Sequence, residues 1–189
     1  MKRIDNLLNS IGIRDQLTII KIKYGLEIIR SELSKILFLL IIFVFLNKSI
    51  EYVFALSILS PIRCFSGGLH LKTNIGCFLF SLLIYTLIII ALPNIPLPIY
   101  IYYLLLIISF LIILVLSPVY TKKRPIQTKE RYLFLKRRTV LISIVCFLII
   151  VSISIIGYIE VFIIGCWVMV VQASQLIIAK KINWKEALT

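Results

Sequence analysis

The chain has 189 residues, of which 61% are hydrophobic, and a formal net charge of +13 at pH 7. Soluble domains are about 45–50% apolar, and a chain of this length cannot hide the excess in one soluble core. These values exclude an ordinary soluble protein and predict an all-α, polytopic integral membrane protein, with residues 1–189 forming a single membrane domain. The first 35 residues carry scattered charges and lack a compact apolar run with a cleavage site, so we expect no cleaved signal peptide.

The polar and sulfur-containing residues give no sign of a metal site or a disulfide framework. Cys146 and Cys166 lie inside apolar runs, where a thiol usually acts as a small buried hydrophobe. The chain has one histidine, and its eight acidic residues form no cluster with ligand spacing. We therefore expect no metal and no other cofactor.

The first third of the chain predicts a surface segment and two short membrane helices. Residues 1–30 are basic and partly amphipathic, which is typical of a helix lying in the membrane interface. The apolar run 36–46 is shorter than the ~20 residues that a span needs. A single helix through this run and the next one, 52–62, would place Lys48 and Glu51 near the bilayer centre, at a high cost. We expect a hairpin of two short or partly re-entrant helices instead.

The rest of the chain contains four longer apolar runs, each predicting a transmembrane helix. They cover residues 75–92, 99–116, 140–159 and 161–179. Three prolines between 93 and 98 mark a turn, and residues 117–138 form a strongly basic loop. With the two short helices, the sequence predicts about six transmembrane helices.

The distribution of basic residues predicts the orientation. Apart from Lys48, every lysine and arginine falls within residues 1–35, 63–74, 118–138 or 180–189. With six spans, all four segments lie on one side of the membrane, which is the cytoplasmic side by the positive-inside rule. We therefore expect a multi-pass protein of the cell membrane with cytoplasmic N- and C-termini.

The stretch 63–77 holds the single histidine, His70, and a cysteine seven residues later, Cys77. An imidazole that accepts the thiol proton makes cysteine a nucleophile. On one unbroken helix, seven residues correspond to a rise of about 10.5 Å, which is too far for a hydrogen bond. A His70–Cys77 dyad therefore requires the helix to be broken between the two residues.

The sequence between the two residues favours such a break. Gly67 and Gly68 favour a turn before His70, and Thr73 and Asn74 are N-cap candidates for a following helix. Cys77 would then lie in the first turn of that helix, where the helix dipole lowers a thiol pKa and backbone N–H groups can bind an oxyanion.

Spacing alone does not assign roles to the surrounding side chains. Arg63 is a candidate for binding a substrate carbonyl or carboxylate, and Ser81, four residues after Cys77, for lining the site. Cys64 is a competing nucleophile, and spacing does not exclude it. Ser66 and Asn74 are candidates for a third member of the dyad.

Taken together, the six short spans, the basic loop and the motif Arg63…Gly68-Leu69-His70…Cys77 resemble the accessory gene regulator B (AgrB) family, membrane-embedded cysteine endopeptidases that process quorum-sensing peptides. The resemblance covers nearly the whole chain in layout. It implies that His70 and Cys77 are catalytic and that Arg63 and Gly68 are essential. Leu71 departs from the pattern, in which a small residue follows the histidine.

The resemblance also implies the reaction and its partners. The enzyme would remove the C-terminal tail of a short AgrD-like precursor, keep the remainder as a thioester on Cys77, and release it as a thiolactone or lactone ring. Other expected partners are anionic lipids and a second copy of the chain, but no nucleic acid. An acidic precursor tail, or the lipids, would contact basic residues of the loop: Lys122, Lys123, Arg124, Lys136, Arg137 and Arg138.

The sequence is also compatible with two other classes of protein. A small transporter or export component for a peptide or ion would need polar groups within its spans. Gln172 and Gln175, with Ser152, Ser154 and Ser174, are the candidates, and they could equally form hydrogen bonds between helices. The third class is a structural membrane partner in which 63–77 is only a loop.

Overall fold

The computed structural model describes residues 16–69, 73–119 and 128–188, and every regular element within these ranges is helical. This confirms the predicted all-α class for the described part of the chain. The helices are α1 (Gln16–Phe45), α2 (Ser49–Ser66), α3 (Asn74–Thr86), α4 (Ile99–Leu116), α5 (Lys129–Ile156) and α6 (Ile159–Leu188). A π-helical turn (Leu87–Ala91) and a 3-10 turn (Leu92–Asn94) extend α3.

The chain divides into two compact units, and α1 belongs to the first, Met1–Phe45. Residues 1–15 of the predicted surface segment lie outside the described residues. The rest of that segment and the apolar run 36–46 form one helix, without the boundary that we expected between them. Residues 16–35 contain no proline, and Glu32 and Lys35 form an ion pair of 2.8 Å along the helix, so nothing ends the helix before the apolar run.

The second unit, Leu46–Thr189, is organised around α6. Within the apolar part of α6, 61% of the residues are buried, against 22–28% in the three other long apolar segments. This helix packs against α2, α4 and α5. Its Trp167 ring meets Tyr102 of α4 edge to face, with ring centroids 6.1 Å apart. The central position of α6 explains why Gln172 and Gln175 are buried in protein.

Within the described ranges, four helical segments are long and apolar enough to cross a membrane: Ile75–Asn94, Ile99–Leu116, Lys129–Ile156 and Ile159–Ile182. Their outer faces are apolar; on α4, for example, Leu104, Leu111 and Val115 are exposed. Exposed apolar faces of this length are typical of helices in lipid, so the protein is a membrane protein. The predicted count of six spans, the hairpin of the two short helices and the cytoplasmic termini stay predictions.

Two helices are longer than the apolar runs predicted. Helix α5 begins at Lys129, so the last ten residues of the predicted loop 117–138 are helical. Lysine, glutamate and arginine are good helix formers, and the Thr128 hydroxyl caps this start by accepting a hydrogen bond of 3.3 Å from the Arg131 N–H. Helix α6 likewise continues past residue 179 to Leu188.

Several helix ends meet at one end of the second unit. The N–H of Val119, just after α4, donates a 2.9 Å hydrogen bond to the carbonyl of Ser66, the last residue of α2. The second half of α6 reaches the same place through Gln172.

The Lys48–Glu51 ion pair, 2.7 Å long, lies at the other end of α2. The hydrogen bond to Glu51 raises the pKa of Lys48, and the charge of Glu160, at the start of α6, raises it further. This ion pair therefore lies at the opposite end of α2 from Ser66 and Gly67.

Candidate functional site

The turn that follows α2 can only be formed by glycine. Gly67 has φ +84° and ψ −170°, a backbone conformation that is essentially restricted to glycine. A Cβ atom at Gly67 would lie 2.3 Å from the carbonyl oxygen of Val119, well inside van der Waals contact. The chain therefore turns sharply at residue 67 and passes directly against the segment after α4.

Helix α6 holds this turn from the other side. The Gln172 side-chain amide donates hydrogen bonds to the Ser66 hydroxyl, at 2.8 Å, and to the Gly67 carbonyl, at 3.0 Å. Gln172 and Ser66 are both fully buried. With the Val119–Ser66 bond, these contacts fix the end of α2 against two other elements, so the residues that lead to His70 start from a rigid position.

Arg63 holds the next residues of the same segment. Its Nη2 donates a hydrogen bond of 2.6 Å to the carbonyl of Leu69, the residue before His70. Its Nε is buried and has no hydrogen-bond partner among the described residues. The sequence made Arg63 a candidate for binding substrate; in the structure its Nη2 holds the Leu69 carbonyl, and its role toward substrate stays a prediction.

Cys77 lies in the first turn of α3, as predicted. Thr73 is the N-cap, and its hydroxyl accepts a 3.1 Å hydrogen bond from the Gly76 N–H. The Cys77 N–H donates to the Thr73 carbonyl at 3.0 Å, so the N–H groups available to an oxyanion at this helix start are those of Asn74 and Ile75. The thiol of Cys77 is free and its side chain is half-buried.

Several predicted site residues lie outside the described residues: His70, Lys122, Lys123 and Arg124, together with the side chain of Asn74. Ser81 follows Cys77 by one turn of α3 and is half-buried. Cys64, the competing nucleophile, is an exposed free thiol on α2. Its exposed position contrasts with that of Arg63 and Gly68, which face the interior of the unit.

The basic residues Lys136, Arg137 and Arg138 of α5 differ in their hydrogen bonds and in their exposure. Lys136 donates hydrogen bonds to the carbonyl groups of Leu114 and Ser117, the second at 2.7 Å, so it caps the end of α4. Arg137 and Arg138 are exposed, and the Arg138 guanidinium lies 5.4 Å from the centre of the Phe134 ring. Of these three predicted contact residues, Lys136 therefore already uses its ammonium group in hydrogen bonds within the protein.

Sequence reasoning did not connect Gln172 and Gln175 to this site. Both are buried, and both lie beside the turn after α2. The available signal was their spacing: two amides three residues apart share one face of a helix, and in an apolar span that face must meet protein. Which part of the protein it meets could not be read from the pattern.

The fold and the site define an all-helical membrane protein in which a glycine turn, an arginine and a capped helix start carrying a cysteine are built at one end of the helices. The family model for accessory gene regulator B, AgrB, matches residues 2–176, and the chain belongs to this family. A Clostridium beijerinckii protein described as AgrB-like is 36% identical over 72 residues, which are 38% of this chain and 36% of that protein. No solved structure matches this chain.

Proposed function

We propose that this protein is a membrane cysteine endopeptidase that removes the C-terminal tail of a quorum-sensing peptide precursor and supports its cyclisation, with Cys77 as nucleophile and His70 as base. One observation carries this proposal beyond family membership. Helix α3 begins at Asn74, after an N-cap residue, Thr73, whose backbone is extended, and Cys77 lies in the first turn of this helix. A helix start just before Cys77 supports the proposal, because a dyad requires a break in the helix.

In the first step, His70 accepts the Cys77 proton and the thiolate attacks the scissile carbonyl carbon. The negative charge on the carbonyl oxygen is then stabilised by N–H groups at the start of α3. His70 returns the proton to the leaving amine as the carbon–nitrogen bond breaks. The products are the released tail and a thioester between the rest of the precursor and Cys77.

In the second step, a nucleophilic side chain within the bound peptide attacks the thioester carbonyl. When that side chain is a cysteine, one thioester replaces another, so the ring closes with little change in free energy and needs no ATP. The Cys77 thiolate leaves and is reprotonated. Water competes for the thioester, and a site at the membrane surface would help to exclude it.

The substrate proposed is a short precursor with an amphipathic leader and an acidic tail. The exposed Arg137 and Arg138 are the described residues best placed to attract that tail or anionic lipids. The positive-inside rule supports a cytoplasmic position for the basic segments 63–74 and 118–138, and we propose that Cys77 lies on the same side. A homodimer is also proposed, on the resemblance alone.

The test is precursor cleavage in membranes by the wild type and by Cys77→Ala, His70→Ala and Cys64→Ala, with membrane insertion measured for each. We expect Cys77→Ala and His70→Ala to insert normally and to lose cleavage, and Cys64→Ala to retain it. Mass spectrometry should find the peptide acyl group on Cys77. Cleavage by a normally inserted Cys77→Ala protein would disprove the proposal.

A further inference from the structure

The surface of α5 carries a groove that is basic at one end and apolar along the rest. It lies between two rows of side chains, and within each row the residues are spaced by four, which makes them neighbours on a helix surface. The rows are Lys136, Val140 and Ile144, and Arg137, Leu141 and Val145. They border a shallow space of about 440 Å³. The groove therefore begins at two cations and continues over aliphatic side chains.

The aliphatic part of the groove is open to the surroundings of the protein. Leu141 is 57% exposed, Ile144 42% and Val145 47%. Within the described ranges, every residue that lines the groove belongs to α5, so no other described helix covers it. This part of α5 lies in an apolar segment that is long enough to cross a membrane. The groove therefore faces lipid, and an acyl chain is the kind of molecule that can enter it.

The basic end of the groove has positive charge that no described acid balances. Arg137 is exposed and forms no ion pair with a described residue. The one acidic residue of α5, Glu130, precedes it by two helical turns, a rise of about 10.5 Å. The Lys136 ammonium is held beside the groove by the carbonyl groups of Leu114 and Ser117. This end of the groove therefore attracts an anion.

The residues before the groove are typical of the level of lipid headgroups. Tyr132 is 40% exposed, and aromatic side chains such as tyrosine are enriched where a membrane meets water. Helical side chains lean toward the N-terminus of their helix, so the long side chain of Arg137 can reach back to that level. A phosphate there would meet the arginine, while Leu141 and Val145 lie deeper, among the acyl chains.

We propose that this groove binds one anionic phospholipid, with its phosphate against the Arg137 guanidinium and one acyl chain along Leu141 and Val145. A guanidinium can donate two parallel hydrogen bonds to phosphate oxygens, and the opposite charges strengthen them. The headgroup supplies the selectivity, because acyl chains are apolar wherever they lie in the bilayer, and the groove adds close contact. This inference does not depend on the peptidase chemistry and assigns the lipid a defined place.

The experiment titrates the full chain in detergent with phosphatidylglycerol or phosphatidylcholine, without precursor, and counts bound lipids by native mass spectrometry. Arg137→Met is compared with Arg131→Met. Arg131 is the matched control, since it is exposed on the same helix and its loss changes the net charge equally, but it does not line the groove. Thermal unfolding of each variant without added lipid checks the fold.

We expect the wild type to bind one phosphatidylglycerol more tightly than phosphatidylcholine. Arg137→Met should weaken this binding by about tenfold, the loss that corresponds to a charge-assisted hydrogen bond, while Arg131→Met should change it by less than about twofold. Phosphatidylglycerol should also raise the unfolding temperature of the wild type and of Arg131→Met, because a ligand stabilises the state that it binds. That rise should be smaller in Arg137→Met.

A second pair of variants tests the acyl chain. Leu141→Trp places a large side chain in the groove and should weaken phosphatidylglycerol binding by about threefold or more. Leu111→Trp is the control, because Leu111 is 53% exposed on α4, a helix that has no basic residue. It should bind phosphatidylglycerol as the wild type does. This arm does not change the charge, so it tests the groove apart from the arginine.

Three results would overturn the inference. Equal losses in Arg137→Met and Arg131→Met would mean a general attraction of anionic lipid to a basic surface. Equal binding of the two lipids by the wild type would remove the role of the phosphate charge. If Arg137→Met weakens precursor binding but leaves phosphatidylglycerol binding unchanged, the acidic tail of the precursor is the partner of Arg137. None of these results bears on whether Cys77 cleaves the precursor, so the two proposals fail separately.

Discussion

The side-chain amide of Gln172 donates a 2.8 Å hydrogen bond to the hydroxyl of Ser66, which lies 106 residues earlier in the chain. The same amide nitrogen bonds to the carbonyl of Gly67. Through these bonds the central helix α6 fixes the turn that leads to His70. The site is therefore held in place by a helix that contributes no nucleophile and no base to the proposed reaction.

Replacing Gln172 by leucine should destabilise the fold. The change leaves the Ser66 hydroxyl and the Gly67 carbonyl without the amide donor, in a buried position. The expected cost is about 1–3 kcal/mol, measured as a lower thermal unfolding temperature in detergent. Ser174→Ala is the control and should change stability by less than about 0.5 kcal/mol. Equal stability of the two variants would show that the Gln172 bonds contribute nothing net.

Replacing Gly67 by alanine should be far more damaging than the same change at Gly157. Both glycines have positive φ, at +84° and +99°. A Cβ atom at Gly67 would lie 2.3 Å from the Val119 carbonyl oxygen, whereas no heavy atom lies within 4 Å of one at Gly157. Gly157→Ala should cost about 1–2 kcal/mol from backbone strain alone, and Gly67→Ala should cost more than that.

The comparison of these two variants is made by thermal unfolding and by precursor cleavage. Gly67→Ala should also reduce cleavage, because it displaces the turn before His70, while Gly157→Ala should leave cleavage nearly unchanged. Similar losses in the two variants would mean that the contact with Val119 relaxes easily.

The contact between α5 and α6 at Gly165 should show strong coupling in a double-mutant cycle. A Cβ atom at Gly165 would lie 2.9 Å from Ile150 Cγ1, and Ile150 is fully buried. Gly165→Ala alone should destabilise by about 1–3 kcal/mol through overpacking. In an Ile150→Ala background the same change should cost little or stabilise, because the added methyl occupies vacated space. Additive costs would contradict this close packing.

Lys136 and Arg137 are adjacent basic residues with different expected effects on stability. Lys136→Met removes the hydrogen bonds to the Leu114 and Ser117 carbonyl groups at the end of α4, at an expected cost of about 1–2 kcal/mol. Arg137 is exposed, so Arg137→Met should change stability by less than about 0.5 kcal/mol. The check is thermal unfolding of both variants at one salt concentration.

Kinetics separates the same pair further. Under the proposed function, Arg137→Met should raise KM for a precursor with an acidic tail, and the effect should shrink at high salt. A loss of stability in Arg137→Met, with no change in Lys136→Met, would reverse the roles assigned to the two residues.

The amino-acid sequence was sufficient to predict the helical class, the membrane environment and the capped helix start at Cys77. Each of these depends on local properties: the length of an apolar run, and the preference of Thr73 for an N-cap. The division of 16–45 into a surface segment and a short helix was not observed, and the start of α5 came earlier than predicted. A charged residue ends an apolar run but need not end the helix. Hydropathy alone therefore gives the wrong residue for the helix ends.

The tertiary structure decided what surrounds the turn at Gly67. Val119 occupies the space that a side chain at Gly67 would need, and Gln172 bonds to the Gly67 carbonyl. Gln175 and Arg63 have atoms without a hydrogen-bond partner beside Gly68. These contacts involve three segments that are far apart in the chain. A residue pattern identifies which face of a helix is polar, but the partner of that face is set by how the helices pack. For this reason the sequence located the proposed nucleophile, while the residues that hold the turn at Gly67 emerged only from the fold.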